Sequence, residues 1–113
     1  MPFINIKTNV DVSKEKSEQI KSALGKSISL IPGKSESWLM IEIEQSQLMY
    51  FKGSNNPCAM VKVDLYGSSS KDNYNQLASA ITSLLNEELD INSDRIYVRF
   101  EEVSNWSYSG SLF

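Results

Sequence analysis

The apolar residues Tyr74, Leu77, Ala78, Ile81, Leu84, Leu85 and Leu89 recur at three- and four-residue intervals, the spacing of a helix packed on one side. Upstream, Ile20, Ala23, Leu24 and Ile31 mark a first helix. Ser13 opens it as an N-cap with Glu15 in the first turn, and Pro32-Gly33 stops it. Elsewhere the pattern shortens. Pro2 to Lys7, Trp38 to Glu44, Cys58 to Leu65 and Arg95 to Glu101 are brief runs rich in β-branched and aromatic residues, and each reads as a strand. Leu48 to Phe51 reads as a further short strand, followed by a turn at Gly53-Ser54-Asn55-Asn56-Pro57. Ser68-Ser69-Ser70 and Ser104 to Ser111 read as loops.

The pattern occurs twice. SKEKSEQIKSAL, beginning at Ser13, returns as SKDNYNQLASAI, beginning at Ser70, an offset of 57 residues. The same offset aligns Phe3-Ile4-Asn5-Ile6 with Met60-Val61-Lys62-Val63, and Trp38 to Glu44 with Arg95 to Glu101. Two strand-helix-strand units, about residues 2–56 and 58–113, therefore build one domain spanning 1–113. The expected fold class is α+β in two layers: two βαβ repeats forming a four-stranded mixed sheet with two helices on one face. The other face lacks a cover. Consecutive apolar residues in Trp38-Leu39-Met40-Ile41 and Ala59-Met60-Val61 imply burial on both faces, so oligomerisation is expected to bury it.

Composition removes several function classes. No apolar run approaches the ~20 residues of a membrane span, and no basic N-terminus precedes an apolar stretch, so a cytoplasmic protein is expected. Cys58 is the sole cysteine, which excludes an internal disulfide. Histidine is absent, which removes Ser-His-Asp and Cys-His catalysis and the usual transition-metal sites. The net charge of −3, with basic residues scattered among acidic ones, gives no footprint for a nucleic-acid backbone.

Any catalysis then needs an unusual base. With Met1 removed, Pro2 presents a secondary amine at the start of a strand. An apolar pocket and a nearby cation both disfavour its ammonium form and bring it toward the range suited to proton transfer at neutral pH. The plain alternative is a proline that merely starts a strand, where its missing N–H does no harm. Lys34, just after Pro32-Gly33, is placed to aim an ammonium at that amine and at a substrate carboxylate; the alternative is a solvated surface lysine.

Pro2, Thr8-Asn9-Val10, Gly33-Lys34, Gln47-Leu48-Met49, Phe51, Gly53-Ser54, Pro57-Cys58-Ala59, Asp94-Arg95-Ile96-Tyr97 and Ser111-Leu112-Phe113 together resemble the macrophage migration inhibitory factor family of the tautomerase superfamily. The likeness runs in order through essentially the whole chain. It implies a homotrimer whose sheets enclose a central channel, with a pocket between neighbouring subunits. Pro2 would be the catalytic base and Lys34 would bind substrate. Tyr97 would line the pocket from the adjacent subunit, and Phe113 would lie near its rim. The implied activity is keto-enol tautomerisation of phenylpyruvate-like 2-oxo acids and of D-dopachrome methyl ester, with no cofactor and no metal.

The chain departs from the vertebrate pattern at the pocket. Tyr66 replaces an isoleucine of the wall and is expected to narrow it, while Arg99 replaces an asparagine. Arg99 is open to two readings: a bidentate contact to a substrate carboxylate, or a strand residue paired with Glu101 or Glu42. Trp106 and Tyr108, in the loop-like tail, either cover the pocket or pack in a core or interface. The family's Cys-x-x-Cys is broken, because Cys58 is followed by Ala59, Met60 and Val61, so paired thiol exchange is unsupported. A second function, from another class, is a cytokine-like or host-modulating protein that uses its surface on a receptor protein and keeps only a vestigial pocket. Export without a signal peptide would accompany that role. From charge and hydropathy, neither nucleic acid nor membrane is expected as a partner.

Overall fold

The computed structural model describes residues 1–113. Ser13 and Ser70 occupy matching positions in the two repeats. Each accepts a backbone hydrogen bond at 3.1 Å, from Lys16 and Asn73 respectively, and at these caps begin α1 (Lys14–Ser27) and α2 (Lys71–Leu89). The strands are β1 (Pro2–Thr8), β2 (Met40–Glu44), β3 (Ala59–Tyr66) and β4 (Ile96–Val103), in the sheet order β2-β1-β3-β4. β1 runs antiparallel to β3, while β1 with β2 and β3 with β4 are parallel. Each parallel pair is one strand-helix-strand repeat, and the antiparallel central pair joins the repeats.

Alternation decides which face is covered. Ala59, Val61, Val63 and Leu65 of β3 are buried, while Met60, Lys62, Asp64 and Tyr66 between them are only half-buried. The buried set joins Ile4 and Ile6 of β1, Ile20 and Leu24 of α1, and Leu77, Ile81 and Leu85 of α2 in one core. Each such fully buried aliphatic side chain contributes ~1.5–3 kcal/mol relative to exposure. Neither helix is long and apolar enough to cross a membrane.

Several expectations are corrected. α1 ends at Ser27, and Ile28–Leu30 tighten into a 3-10 turn in place of a helix running to Pro32. Ile31, whose following proline disfavours helical backbone, is already extended (φ −92°, ψ 113°). Trp38 and Leu39 precede β2: Glu36–Trp38 form a 3-10 turn, and the parallel register starts with Phe3 opposite Met40. Leu48 to Phe51 form no strand in this chain; a single bridge joins Phe51 to Ser54 around a turn at Lys52 and Gly53. The tail is more ordered than a loop. β5 (Ser107–Tyr108) and β6 (Ser111–Leu112) pair across Ser109-Gly110, both at positive φ as a two-residue hairpin of this twist requires.

The uncovered sheet face is also not a continuous apolar surface. By register and burial it carries Asn5, Lys7, Glu42, Glu44, Lys62, Asp64, Arg99 and Glu101 along with Phe3, Met40, Met60, Tyr66 and Tyr97. The apolar runs misled because Trp38 and Leu39 belong to a turn and Ala59 and Val61 face the helices. Exposed apolar groups collect at strand ends and in loops: Leu48 is 99% exposed, Tyr50 77%, Leu112 67% and Phe113 58%.

Candidate active site

Pro2 is buried at the first position of β1, opposite Leu65 of the central antiparallel pair. Proline suits this place, since an N–H there would find no ladder partner on β2, whose pairing starts one residue later. Gly33, at φ +84°, reverses the chain after α1 and its 3-10 turn, and the Lys34 N–H closes on Ile31 O at 3.1 Å. This turn directs Lys34 back to the sheet end. Its Nζ donates to the main-chain carbonyl of Tyr66 at 2.8 Å.

The chain terminus shares that corner. Met1 extends the β1 line, and its carbonyl accepts the Tyr66 N–H at 3.1 Å. Its amine is lowered to about 6, chiefly by burial, then by the charge of Lys34 and a hydrogen bond with Lys34. A proton on an amine in this corner is thus disfavoured by the two influences that a neutral-pH base needs. The Tyr66 ring packs against Phe113, with centroids 5.6 Å apart, so β6 reaches over the same corner.

Beside it opens a pocket of about 480 Å³ lined by Met1, Pro2, Phe3, Ser37, Trp38, Leu39, Met40, Asp64, Trp106, Ser107 and Tyr108. Tyr108 meets Trp38 edge to face at 5.0 Å, which seats the hairpin on the turn before β2. Trp106 and Tyr108 therefore both line the pocket. Of the residues singled out from the sequence, Pro2, Lys34, Tyr66, Tyr108 and Phe113 gather at this end of the sheet. Phe3, Trp38, Met40 and Asp64 were missed; the period-two alternation of β1 and β3 places Phe3 and Asp64 on one face, and that signal was available.

Tyr97 and Arg99 lie elsewhere. Tyr97 is registered with Met60, itself opposite Lys7. That is five residues along β1 from Pro2, or about 17 Å at ~3.3 Å per residue. Tyr97 packs on Phe51, with centroids 4.6 Å apart. Phe51 is in turn held by Arg95, a buried guanidinium that donates to the carbonyls of Phe51, Ser54, Asn56 and Pro57 at 2.9–3.1 Å. Arg99 is half-exposed, and its Nη2 lies 3.4 Å from Glu101, the paired arrangement that the sequence left open. Within one chain neither residue reaches the Pro2 corner.

Comparison with known proteins agrees with this fold. A family model described as Macrophage migration inhibitory factor (MIF) matches residues 1–113. A macrophage migration inhibitory factor homolog of Brugia malayi is 31% identical, covering 100% of this chain and 99% of that protein. The macrophage migration inhibitory factor of Mus musculus is 29% identical with the same coverage. Among solved structures, MIF2 of Leishmania major superposes with a TM-score of 0.94 at 25% identity, covering 100% of this chain and 97% of that one. The homologue from Prochlorococcus marinus gives 0.89 at 26% identity, covering 98% of each chain. With the two-repeat sheet, the Pro2–Lys34 corner and a family match over the full chain, this protein belongs to the macrophage migration inhibitory factor family of the tautomerase superfamily.

Proposed function

We propose that the protein is a cofactor-independent keto-enol tautomerase of phenylpyruvate-like 2-oxo acids, with the Pro2 amine, freed by removal of Met1, as general base. The observation that carries this reading is the corner in which buried Pro2 starts β1 beside Lys34, where the Met1 amine is lowered to about 6 by burial and Lys34. Removing Met1 moves the terminus one residue along β1, into the still more buried Pro2 position. With Met1 attached, the Pro2 nitrogen is an amide without a basic lone pair, so that form is inactive at this group.

Ketonisation moves one proton off the enol hydroxyl and one onto C3. The Pro2 amine takes the proton from the enol hydroxyl, and the ammonium so formed delivers a proton to C3, which regenerates the free amine and closes the balance. Lys34 offsets the substrate carboxylate charge. The Tyr66 N–H, which loses its Met1 acceptor on processing, supplies a second donor beside Lys34. Tyr66 and Phe113 close the corner with aromatic surface, and Tyr108 walls the adjoining pocket. Tyr97 and Arg99 join from a neighbouring subunit of a homotrimer, whose contacts cover the apolar loops and tail.

The test is the ketonisation rate of enol phenylpyruvate with protein whose loss of Met1 is verified by intact mass. A rate well above buffer is expected, and Pro2→Gly is expected to lower it by ~10²-fold or more. Wild-type activity in a folded Pro2→Gly variant would overturn the mechanism.

A further inference from the structure

One peptide group steers the ammonium of Lys34. Its carbonyl, that of Tyr66, accepts from Lys34 Nζ at 2.8 Å, and its N–H, that of Gly67, donates to the carbonyl of Val103 at 3.1 Å. Gly67 stands at φ +85°, and no atom lies within 4 Å of where a Cβ would stand, so side-chain packing does not brace this turn. The orientation of the peptide group therefore depends on how firmly β4 holds the chain that leaves β3.

A single side chain joins both flanks of that bond. The Tyr74 hydroxyl, on α2, accepts the N–H of Ser69 at 2.8 Å, just beyond Gly67, and donates to Oε2 of Glu102 at 2.6 Å, just before Val103. The second of these is a charge-assisted bond, the stronger kind. The Tyr74 ring stacks on Phe100 of β4, with centroids 4.8 Å apart and planes at 21°. Glu102 is registered with Leu65, which is buried in the core against the helices. The contact thus lies on the covered side of the sheet, and every group in it belongs to one chain. Tyr74 does not line the pocket beside Pro2, so any effect on the site passes through the chain it holds.

We infer that Tyr74 is a positioning residue of the site: by joining Ser69 to Glu102 it holds the Tyr66–Gly67 peptide group, and through that group the Lys34 ammonium, where a substrate carboxylate is bound. Glu102 is its anchor. This deepens the tautomerase reading and rests on it for the role given to Lys34.

Binding without turnover tests the role of Tyr74. Unreactive 3-phenylpropionate is titrated against the intact Met1-free protein, and intrinsic fluorescence reports occupancy because both tryptophans of the chain line the pocket. Tyr74→Phe keeps the ring on Phe100 and loses only the hydroxyl. It is expected to bind the carboxylate roughly fivefold more weakly, the scale of one lost hydrogen bond, and to raise KM for ketonisation with kcat little changed. Glu102→Gln leaves the phenol an acceptor and is expected to bind close to wild type. On a Lys34→Ala background Tyr74→Phe is expected to have no further effect, since a residue that acts through Lys34 has nothing left to position. An unchanged Kd in folded Tyr74→Phe, an equal loss on the Lys34→Ala background, or no binding by the wild-type protein overturns the proposal. Should Tyr74→Phe not fold, Glu102→Ala, at an exposed position, carries the same comparison: weaker binding is expected, and an unchanged Kd overturns it. Ketonisation is read separately, so a wild-type protein that binds and does not ketonise loses the tautomerase reading while the comparison of Kd values stands.

Discussion

Lys34 acts on the terminal amine through its charge and a hydrogen bond, and both come second to burial among the causes that lower that amine. The order has a measurable consequence. The proposed base must be unprotonated, so the rate is expected to rise with pH through the amine's pKa and then level. Lys34→Ala removes a repelling cation and raises the pKa, while burial, the larger cause, remains. The acid limb of the kcat/KM profile is therefore expected to move to higher pH, short of an ordinary amine, and KM for the carboxylate substrate to rise. An unmoved limb with an unmoved KM would reduce Lys34 to a surface lysine. Pro2 and Lys34 were legible in the chain because each sits at a punctuation point, a strand start and a Pro-Gly helix stop, where backbone rules fix position without knowledge of the fold. Alternation alone puts Asp64 on one face with Phe3, but that Trp38 and Tyr108 line the same pocket depends on contacts distant in the chain.

Elements followed the sequence where their stabilising contacts are local or strongly periodic. Both serine caps, the stripe of α2 and the alternation of β3 fall where the pattern put them. The errors came where the deciding contact is distant. β2 starts at Met40 because β1 offers it a partner only from Phe3 onward, and Leu48 to Phe51 remain unpaired because no strand of the same chain lies beside them. The turn that follows, from Phe51 to Pro57, is fixed by Arg95. Its guanidinium spends its donors on four backbone carbonyls between Phe51 and Pro57, with no carboxylate in the set. Arg95→Met leaves those carbonyls without their donor and is expected to destabilise the fold by roughly 2–4 kcal/mol. Arg95→Lys recovers little, because an ammonium lacks the planar fork that spans four acceptors. Urea denaturation measures both, and a loss below ~1 kcal/mol in each would show that the loop is held by other contacts.

At the scale of the whole molecule the single chain carries a surplus of exposed apolar surface, and under the proposed function its site is incomplete. Leu48, Tyr50, Tyr97, Tyr108, Leu112 and Phe113 are all more than half exposed, and Tyr97 stands at the opposite end of the sheet from Pro2. A neighbouring copy resolves both facts if its Tyr97 end meets this chain's Pro2 end, a head-to-tail contact that closes into a ring. Subunit mixing checks the arrangement. Pro2→Gly and Tyr97→Ala variants are each expected to be nearly inactive alone. In a ring of three, every mixed trimer contains one site with Pro2 from one chain and Tyr97 from the next, both intact. Random assembly of an equal mixture makes three quarters of the trimers mixed, with one good site of three in each, so roughly a quarter of wild-type activity should return on co-refolding. If Pro2 and Tyr97 of one chain served the same site, no combination would contain an intact pair, and mixing would restore nothing. Recovery near a quarter therefore reports the head-to-tail ring, and no recovery from variants that still assemble refutes a shared site.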